Sequence, residues 1–536
     1  MNRNPLFIAI FLASAFLLLG CTGSAPPTNS GENLGSQPSL KLCYGMGCMM
    51  QTMPPSSKGQ EYGPSKFAEE APSGAISIPN NGNFTMDANI IRKSLYGKVQ
   101  FLYGYNSQIP GPRLVVRQGS NITINFKNNL DMPTTVHWHG IRLENQNDGV
   151  PGITQEEVAP GGTFTYNLTF PDEGVYWYHP HVREDIQQER GLYGLIFAEP
   201  ENAGYFNNVS KEEAVVLDDV LIGTSGSLFP FSDDYTDFAA MGRFGNKPLI
   251  NGKENYSTTI KAGQALRFYF LNSANVRPFN VSIQGAKFKM IGADSGKFER
   301  EFFSDSIVIA PSERYIAEVA FDRPGKYGIY NSNQFSRHLL GEISVEGDAP
   351  LPDDFLKLHS NPEISASIDP YRSMFDSPPD FIYNLTIDIP GATIGMGDMM
   401  EHAEDGIEWE DTMFGMNAIS TNNTLEWRIV DAKTGKKNMD ASNSVPVGRP
   451  FKIKLSNDKD SLHPMQHPIH LHGARFLVLS KDGVKNSNLA WKDTVLIPIG
   501  STVELLSYFP NEGEWMLHCH IAEHLSSGMM TSFRAA

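Results

Sequence analysis

Positive charge, cysteine and long apolar or helical patterns are all scarce in this chain, and each shortage removes a class of function. Against 60 Asp and Glu it sets only 43 Lys and Arg, a formal charge of −17, and the basic residues form no dense run. Binding nucleic acid by counterion release needs such a run, so that role has no footprint. The longest apolar run, Leu6 to Leu19, has 14 residues, short of the roughly 20 that a membrane-spanning helix requires. A polytopic helical membrane protein is therefore not expected. Long amphipathic helical patterns are almost absent, which disfavours an α/β nucleotide-binding fold.

What is present begins with length: 536 residues, 40% of them hydrophobic, predict about three domains with ordinary cores. Arg3 followed by the apolar run reads as a signal-peptide core over residues 1–20. The run ends in Leu18, Leu19, Gly20 and Cys21, which resembles a prokaryotic lipobox and implies a lipid on Cys21; the alternative is an ordinary cleavage site beside an incidental cysteine. Either way the mature protein is expected outside the cytoplasm, in the periplasm or at the cell surface, with the lipid as its sole contact with the membrane. Residues 21–75 are rich in Ser, Pro, Gly and Met and read as a flexible tether. Within it, Cys43 and Cys48 are spaced for a small disulfide loop, or join Met46, Met49, Met50 and Met53 as a soft Cu(I) site.

From residue 76 onward, short runs of Val, Ile, Thr, Phe and Tyr alternate in polarity between Gly, Pro, Asn and Asp punctuation. That pattern predicts an all-β chain of sandwiches or barrels. Three segments, 113–129, 263–273 and 447–458, share a glycine-led turn and an alternating strand ending at Asn. They predict three related domains over 76–205, 206–352 and 417–536. Between the last two lies a connector and Met/acid-rich loop, 353–416, which holds Met396, Met399, Met400, Met413 and Met416.

Ten of the 14 histidines fall in four clusters, HWH at 137–139, HPH at 179–181, HPIHLH at 467–472 and HCHIAEH at 518–524. Chance would give about 0.4 pairs at i and i+2; there are four. Residues two apart on a strand share a face. His137 with His139, His179 with His181, His470 with His472 and His518 with His520 therefore project together and can form one nest of eight imidazoles. Cys519 faces the other way, as does His467, three residues before His470. With His524 and Met529 they supply two imidazoles, a thiolate and a weak thioether, the ligand set of a blue-copper electron-transfer site.

The strings HWHGIRLENQNDGVPG, WYHPHVREDIQQERGLYG, HPMQHPIHLHG and HCHIAEHLSSGMM resemble the four copper-binding motifs of the multicopper oxidases, the laccase-like family. The likeness spans about residues 76–536 and implies three cupredoxin-like Greek-key β-sandwich domains and four copper ions. By it His137 and His470 hold type 2 copper; His139, His179, His181, His472, His518 and His520 hold the binuclear type 3 pair; His467, Cys519, His524 and axial Met529 hold type 1. An electron taken up at type 1 is passed through Cys519 to His518 and His520, one strand serving as the wire. Four such electrons reduce O2 to two waters.

Asp148 matches an acidic position that serves the proton relay in the family, although a turn-forming Asp before Gly is equally accounted for locally. Many bacterial members carry a second acid immediately after the last type 1 histidine; here that position is Leu525, leaving Glu523 and Glu184 as substitutes. Met465 resembles a methionine beside type 1 copper in cuprous-oxidase members, with His463 where those have aspartate. Met465, Asp493, Met399 and Met400 are thus candidate donor-site residues for Cu(I), Fe(II) or phenolic donors. The competing function is a copper-sequestering tolerance protein with secondary oxidase activity. A copper nitrite reductase needs fewer histidines than these. Oligomeric state is left open.

Overall fold

The computed structural model describes residues 67–334, 336–391 and 404–536. The signal segment, most of the tether, Cys21, Cys43, Cys48, Met396, Met399 and Met400 lie outside the described residues.

The alternating runs form strands that assemble into three pairs of sheets along the chain. The first pair is built from strands between Ala68 and Glu199, the second from strands between Lys211 and Glu346, and the third from strands between Phe381 and Ala535. In each, the apolar face of one sheet packs on the other. Alternation is plain in Asn121–Asn128, whose even positions Ile122, Ile124, Phe126 and Asn128 are all buried. Parallel neighbours such as Gly82–Leu95 and Asn121–Asn128 show that the chain leaves a sheet and returns to it rather than meandering.

The three Gly-led strands end alike. Asn128, Asn272 and Asn457 are buried, and each donates through Nδ2 to two or more carbonyls: Met132 and Val158, Arg277 and Ile309, and Met465, Ile497 and Pro498. A side-chain amide there satisfies loop carbonyls that would otherwise be buried without donors.

One hydrophobic cluster runs through the first and third sandwiches, from Trp138, Tyr166 and Tyr178 to Trp427, Ile453 and Trp515. A second fills the middle sandwich around Phe268, Phe279 and Ile343. A third, with Trp177, Tyr193, Val216 and Ile316, joins the first sandwich to the middle one. Trp138, Trp177, Trp427, Trp491 and Trp515 are all completely buried. Truncation of such a residue costs about 3–5 kcal/mol, so these contacts fix the sandwiches against one another. Helices are few and short, among them Glu184–Gln187, which follows the second histidine cluster, and Ala522–Ser526, which carries His524 of the fourth.

Candidate metal centres

Strand pairing assembles the histidines. His137–His139 is the edge strand of its sheet and runs antiparallel to Gly174–His179, with His137 opposite His179. In the third sandwich His467–Leu471 lies antiparallel to Gly513–Cys519, with His470 opposite His518 and Ile469 opposite Cys519. The side chains of His137, His139, His179, His181, His470, His472, His518 and His520 meet between the first and third sandwiches, all buried. His139 stacks on His470 with ring centroids 3.6 Å apart, and His137 on His472 at 4.0 Å. His181, His472 and His518 form one close triad, and His137, His470 and His472 another.

The ring nitrogens divide into an outer and an inner set. Nδ1 of His137, His179, His470 and His518 faces the carbonyls of Asp148, Pro180, Asp493 and Cys519 at 2.7–2.9 Å. Nδ1 of His472 is 2.8 Å from Asp148 Oδ2, and that of His181 is 3.0 Å from Glu184 Oε1. The inner nitrogens, Nε2 of His137, His179, His181, His470 and His520 and Nδ1 of His139, are buried without a protein partner. His472 and His518 bring their Nε2 atoms within 2.9 Å of each other. Each unpartnered buried acceptor costs about 1–3 kcal/mol, and a bound cation relieves that cost.

Electrostatics agree. Burial, then the neighbouring imidazoles, holds His139, His179, His181, His470 and His518 well below the ordinary histidine range. Burial lowers His520 to about 3 and His472 to about 4, the latter despite Asp148. These seven imidazoles are therefore neutral at physiological pH and present lone pairs rather than N–H⁺ donors, the form in which imidazole binds metal.

Asp148 sits in the turn after Asn145–Asn147 with its carboxylate between His472 and His137, 2.8 and 3.3 Å away. Burial raises its pKa, but His472 and His137 outweigh that and hold it below the usual carboxylate range. The turn requires Gly149: its φ is +80°, and a Cβ there would lie 1.9 Å from the Val136 carbonyl oxygen.

On the opposite face of the same strands, Cys519 Sγ lies 3.5 Å from His467 Nδ1 and 3.7 Å from His524 Nδ1, and the two nitrogens are 3.3 Å apart. All three residues are fully buried. Burial pushes the Cys519 thiol far up, lowers His467 to about 3 and holds His524 well below the ordinary histidine range. Such a thiol ionises only when a cation takes the place of its proton. Met529 is fully buried beside them, its backbone bonded to Cys519 and His524. The softness of thiolate and thioether beside two imidazoles fits copper, and the eight-imidazole nest fits further copper ions.

The candidate donor residues fare differently. Met465 is completely buried two residues before His467, and its carbonyl accepts from Asn457. Asp493 is not near the Cys519 centre. Thr494 pairs with His470, at the nest end of that strand pair, whereas His467 pairs with Ile497. Asp493 is accordingly buried against the nest, 3.0 Å from His139 Nε2 and ion-paired with Arg314. Glu184, beside His181, is pushed up to about 8 by burial, and Glu523, bonded to Asn275, is raised well above the ordinary carboxylate range by burial and Asp185. Leu525 packs with Val150 and Met516.

Three contributors have no sequence signal. Trp427 lies against His524 at 4.1 Å and His467 at 5.0 Å between ring centroids. Gln466 exchanges bonds with the backbone of Glu408, which seats the buried Ile407–Trp409 segment beside His467. Arg314, from the middle sandwich, reaches the nest through Asp493.

Comparison with known proteins gives one answer. Family models described as multicopper oxidase match residues 90–203, 222–344 and 412–536. The chain is 26% identical over 463 residues to the multicopper oxidase mco of Staphylococcus aureus, covering 84% of this chain and 88% of that one. It is 28% identical over 491 residues to the multicopper oxidase MmcO of Mycobacterium tuberculosis, covering 83% and 86%. The Campylobacter jejuni multicopper oxidase described as a metallo-oxidase shares its fold, with a TM-score of 0.63, 21% identity and coverage of 90% and 98%. The matched segments together exceed half the chain and contain both histidine centres, so this protein belongs to the multicopper oxidases, copper-dependent oxidoreductases that take electrons from a donor substrate and use O2.

Proposed function

We propose that the protein couples four one-electron oxidations of a donor to reduction of O2 to two waters at four copper ions. The observation that carries this reading is the placement of Cys519, whose side chain belongs to one centre while its neighbours His518 and His520 belong to the other. His467, Cys519, His524 and Met529 hold one ion, His137 and His470 a second, and His139, His179, His181, His472, His518 and His520 a pair. When bound, copper supplies reversible one-electron exchange and a binding place for O2. The chain supplies the rest. Cys519 gives a covalent path of a few bonds to both histidines, and burial of every ligand excludes water. Asp148, held ionised, fixes His472 and His137 at the edge of the nest. Glu184, held protonated near neutrality, stands beside His181 as a proton donor.

A cationic donor fits best. Glu408 lies within the segment that Gln466, the neighbour of His467, holds in place, and Glu410, paired with Arg277, and Asp411 directly follow it; acidic groups attract Cu(I) or Fe(II) more than a neutral phenol. We further propose three cupredoxin-like domains bounded near residues 205 and 352, and an extracytoplasmic location with a lipid anchor at Cys21. Steady-state oxygen uptake on copper-loaded protein with Cu(I), Fe(II) and a phenol tests the function. Uptake continuing long after added copper is saturated is expected; a single stoichiometric burst would identify a sequestering protein instead.

A further inference from the structure

The middle sandwich provides none of the candidate copper ligands, yet one of its side chains reaches the nest. Arg314 is fully buried and touches all three sandwiches. Its Nε donates to the Val175 carbonyl of the first at 2.8 Å, and its Nη1 to the Ser312 carbonyl of its own at 3.0 Å. Both ends of the guanidinium grip the carboxylate of Asp493 in the third, Nη1 to Oδ1 at 2.6 Å. Asp294, also from the middle sandwich, accepts from the backbone N–H of Arg314, Asp493 and Thr494. The carboxylate is thus fixed on both its oxygens and through its own backbone.

Asp493 in turn faces two ligands. Its carbonyl takes the Nδ1 side of His470 at 2.8 Å, and its Oδ1 lies 3.0 Å from Nε2 of His139. Oδ1 already accepts from Arg314 Nη1 and from the Thr494 hydroxyl, so it and Thr494 Oγ1, 3.1 Å from the same nitrogen, face His139 as acceptors; Nε2 therefore carries the proton and Nδ1 keeps the lone pair. His139 is turned around relative to its neighbours: its unpartnered inner nitrogen is Nδ1, whereas in His137, His179, His181, His470 and His520 it is Nε2. The next residue makes room for this arrangement. Gly140 has φ +87°, and a Cβ there would lie 2.4 Å from Asp493 Oδ2 and 2.8 Å from Arg314 Nη2.

We infer that Arg314 is a positioning residue of the copper nest, acting through Asp493 to hold His139 in the ring orientation and tautomer that aim Nδ1 inward. This rests on the reading of the eight-histidine nest as a copper site. It gives the ligand-free middle sandwich a part in the chemistry: its Arg314 and Asp294 lock a histidine of the first sandwich to a strand of the third.

The test compares the wild-type holoprotein with Arg314→Met and Arg314→Lys. Copper per chain is measured during graded chelation, alongside the blue absorbance that reports Cys519 and the electron paramagnetic resonance of the nest. Loss of a group that orients a metal ligand typically costs about 10- to 100-fold in metal affinity. Arg314→Met is expected to keep the blue absorbance while the nest releases copper at about 10- to 100-fold lower chelator strength and its resonance changes. Should Arg314→Met fail to fold, Arg314→Lys decides. It retains a buried cation but not the two-pronged grip, and it is expected to show the same selective loss, reduced. Unchanged nest affinity and resonance in a folded variant overturns the inference, as does parallel weakening of both centres, which marks a merely structural strut. A wild-type protein that binds only one copper per chain would instead overturn the reading of the nest itself.

Discussion

Asp148 and His472 are 324 positions apart in sequence and 2.8 Å apart in space, carboxylate Oδ2 against ring Nδ1. The contact closes the nest from the first sandwich onto the third. Asp148→Asn keeps the shape but removes the charge that holds His472 and His137, and is expected to slow reoxidation of the reduced enzyme by O2 about 10- to 100-fold. Reduction of the blue centre by a donor should be nearly unchanged. Stopped-flow measurement of the two half-reactions separates them; equal slowing of both would remove Asp148 from the oxygen side.

Cys519→Ser tests the connection between the centres. A hydroxyl is too hard and too weakly acidic to replace the thiolate. The intense blue absorbance should vanish and donor oxidation fall at least about 1,000-fold, since the covalent exit from the donor centre depends on that sulfur. Copper analysis should show about one ion lost and the nest still loaded. Substantial activity in this variant would refute the route.

The copper-free protein should be sensitive to acid in a defined direction. His467 and His520 are lowered to about 3 and His472 to about 4, whereas an unfolded histidine titrates near 6.5. Between those values the unfolded chain binds more protons than the folded one, so stability is complete above about pH 6.5 and falls as pH drops toward 4. Asp148 adds a separate loss at lower pH: its folded pKa is depressed, so its contribution is present above the unfolded value near 3.9 and disappears as pH falls further. Copper takes the place of protons on these nitrogens and on the Cys519 sulfur, so the loaded folded state binds fewer protons than the copper-free one, and its melting temperature should fall more steeply with acid, most clearly below about pH 4. Identical slopes with and without copper would argue that these imidazoles are not ligands.

The ligands were legible because periodicity writes them into the sequence: a pair at i and i+2 must share a strand face, and an odd offset, as between Cys519 and His518, must not. That rule separates Cys519 and His467 from the nest histidines, whereas His524, carried on a short helix, joins Cys519 through nearness in sequence. It is silent on Arg314, which is 179 positions from Asp493, and on Trp427, because a single residue carries no period. Asp493 shows the same limit. The WKDTV string marks it as notable without telling which end of the His467–Leu471 strand it adjoins, and that pairing placed it at the nest. Leu525 signalled a changed proton path, whereas the burial that raises Glu184 and Glu523 depends on packing between the two short helices.

Met465 offers the sharpest test of the donor. It is fully buried and unbranched, and Met→Leu conserves volume, so Met465→Leu should cost less than about 1.5 kcal/mol of stability. A change in catalysis is then chemical rather than structural. The thioether favours Cu(I), and its loss should lower kcat/KM for Cu(I) about tenfold or more while oxidation of an organic dye changes less than about twofold. The bonds between Gln466 and Glu408 do not involve the Met465 side chain and are expected to persist in the variant. Equal losses for Cu(I) and the dye would show that Met465 acts only on the blue centre, and would return Fe(II) and phenols to equal standing as donors.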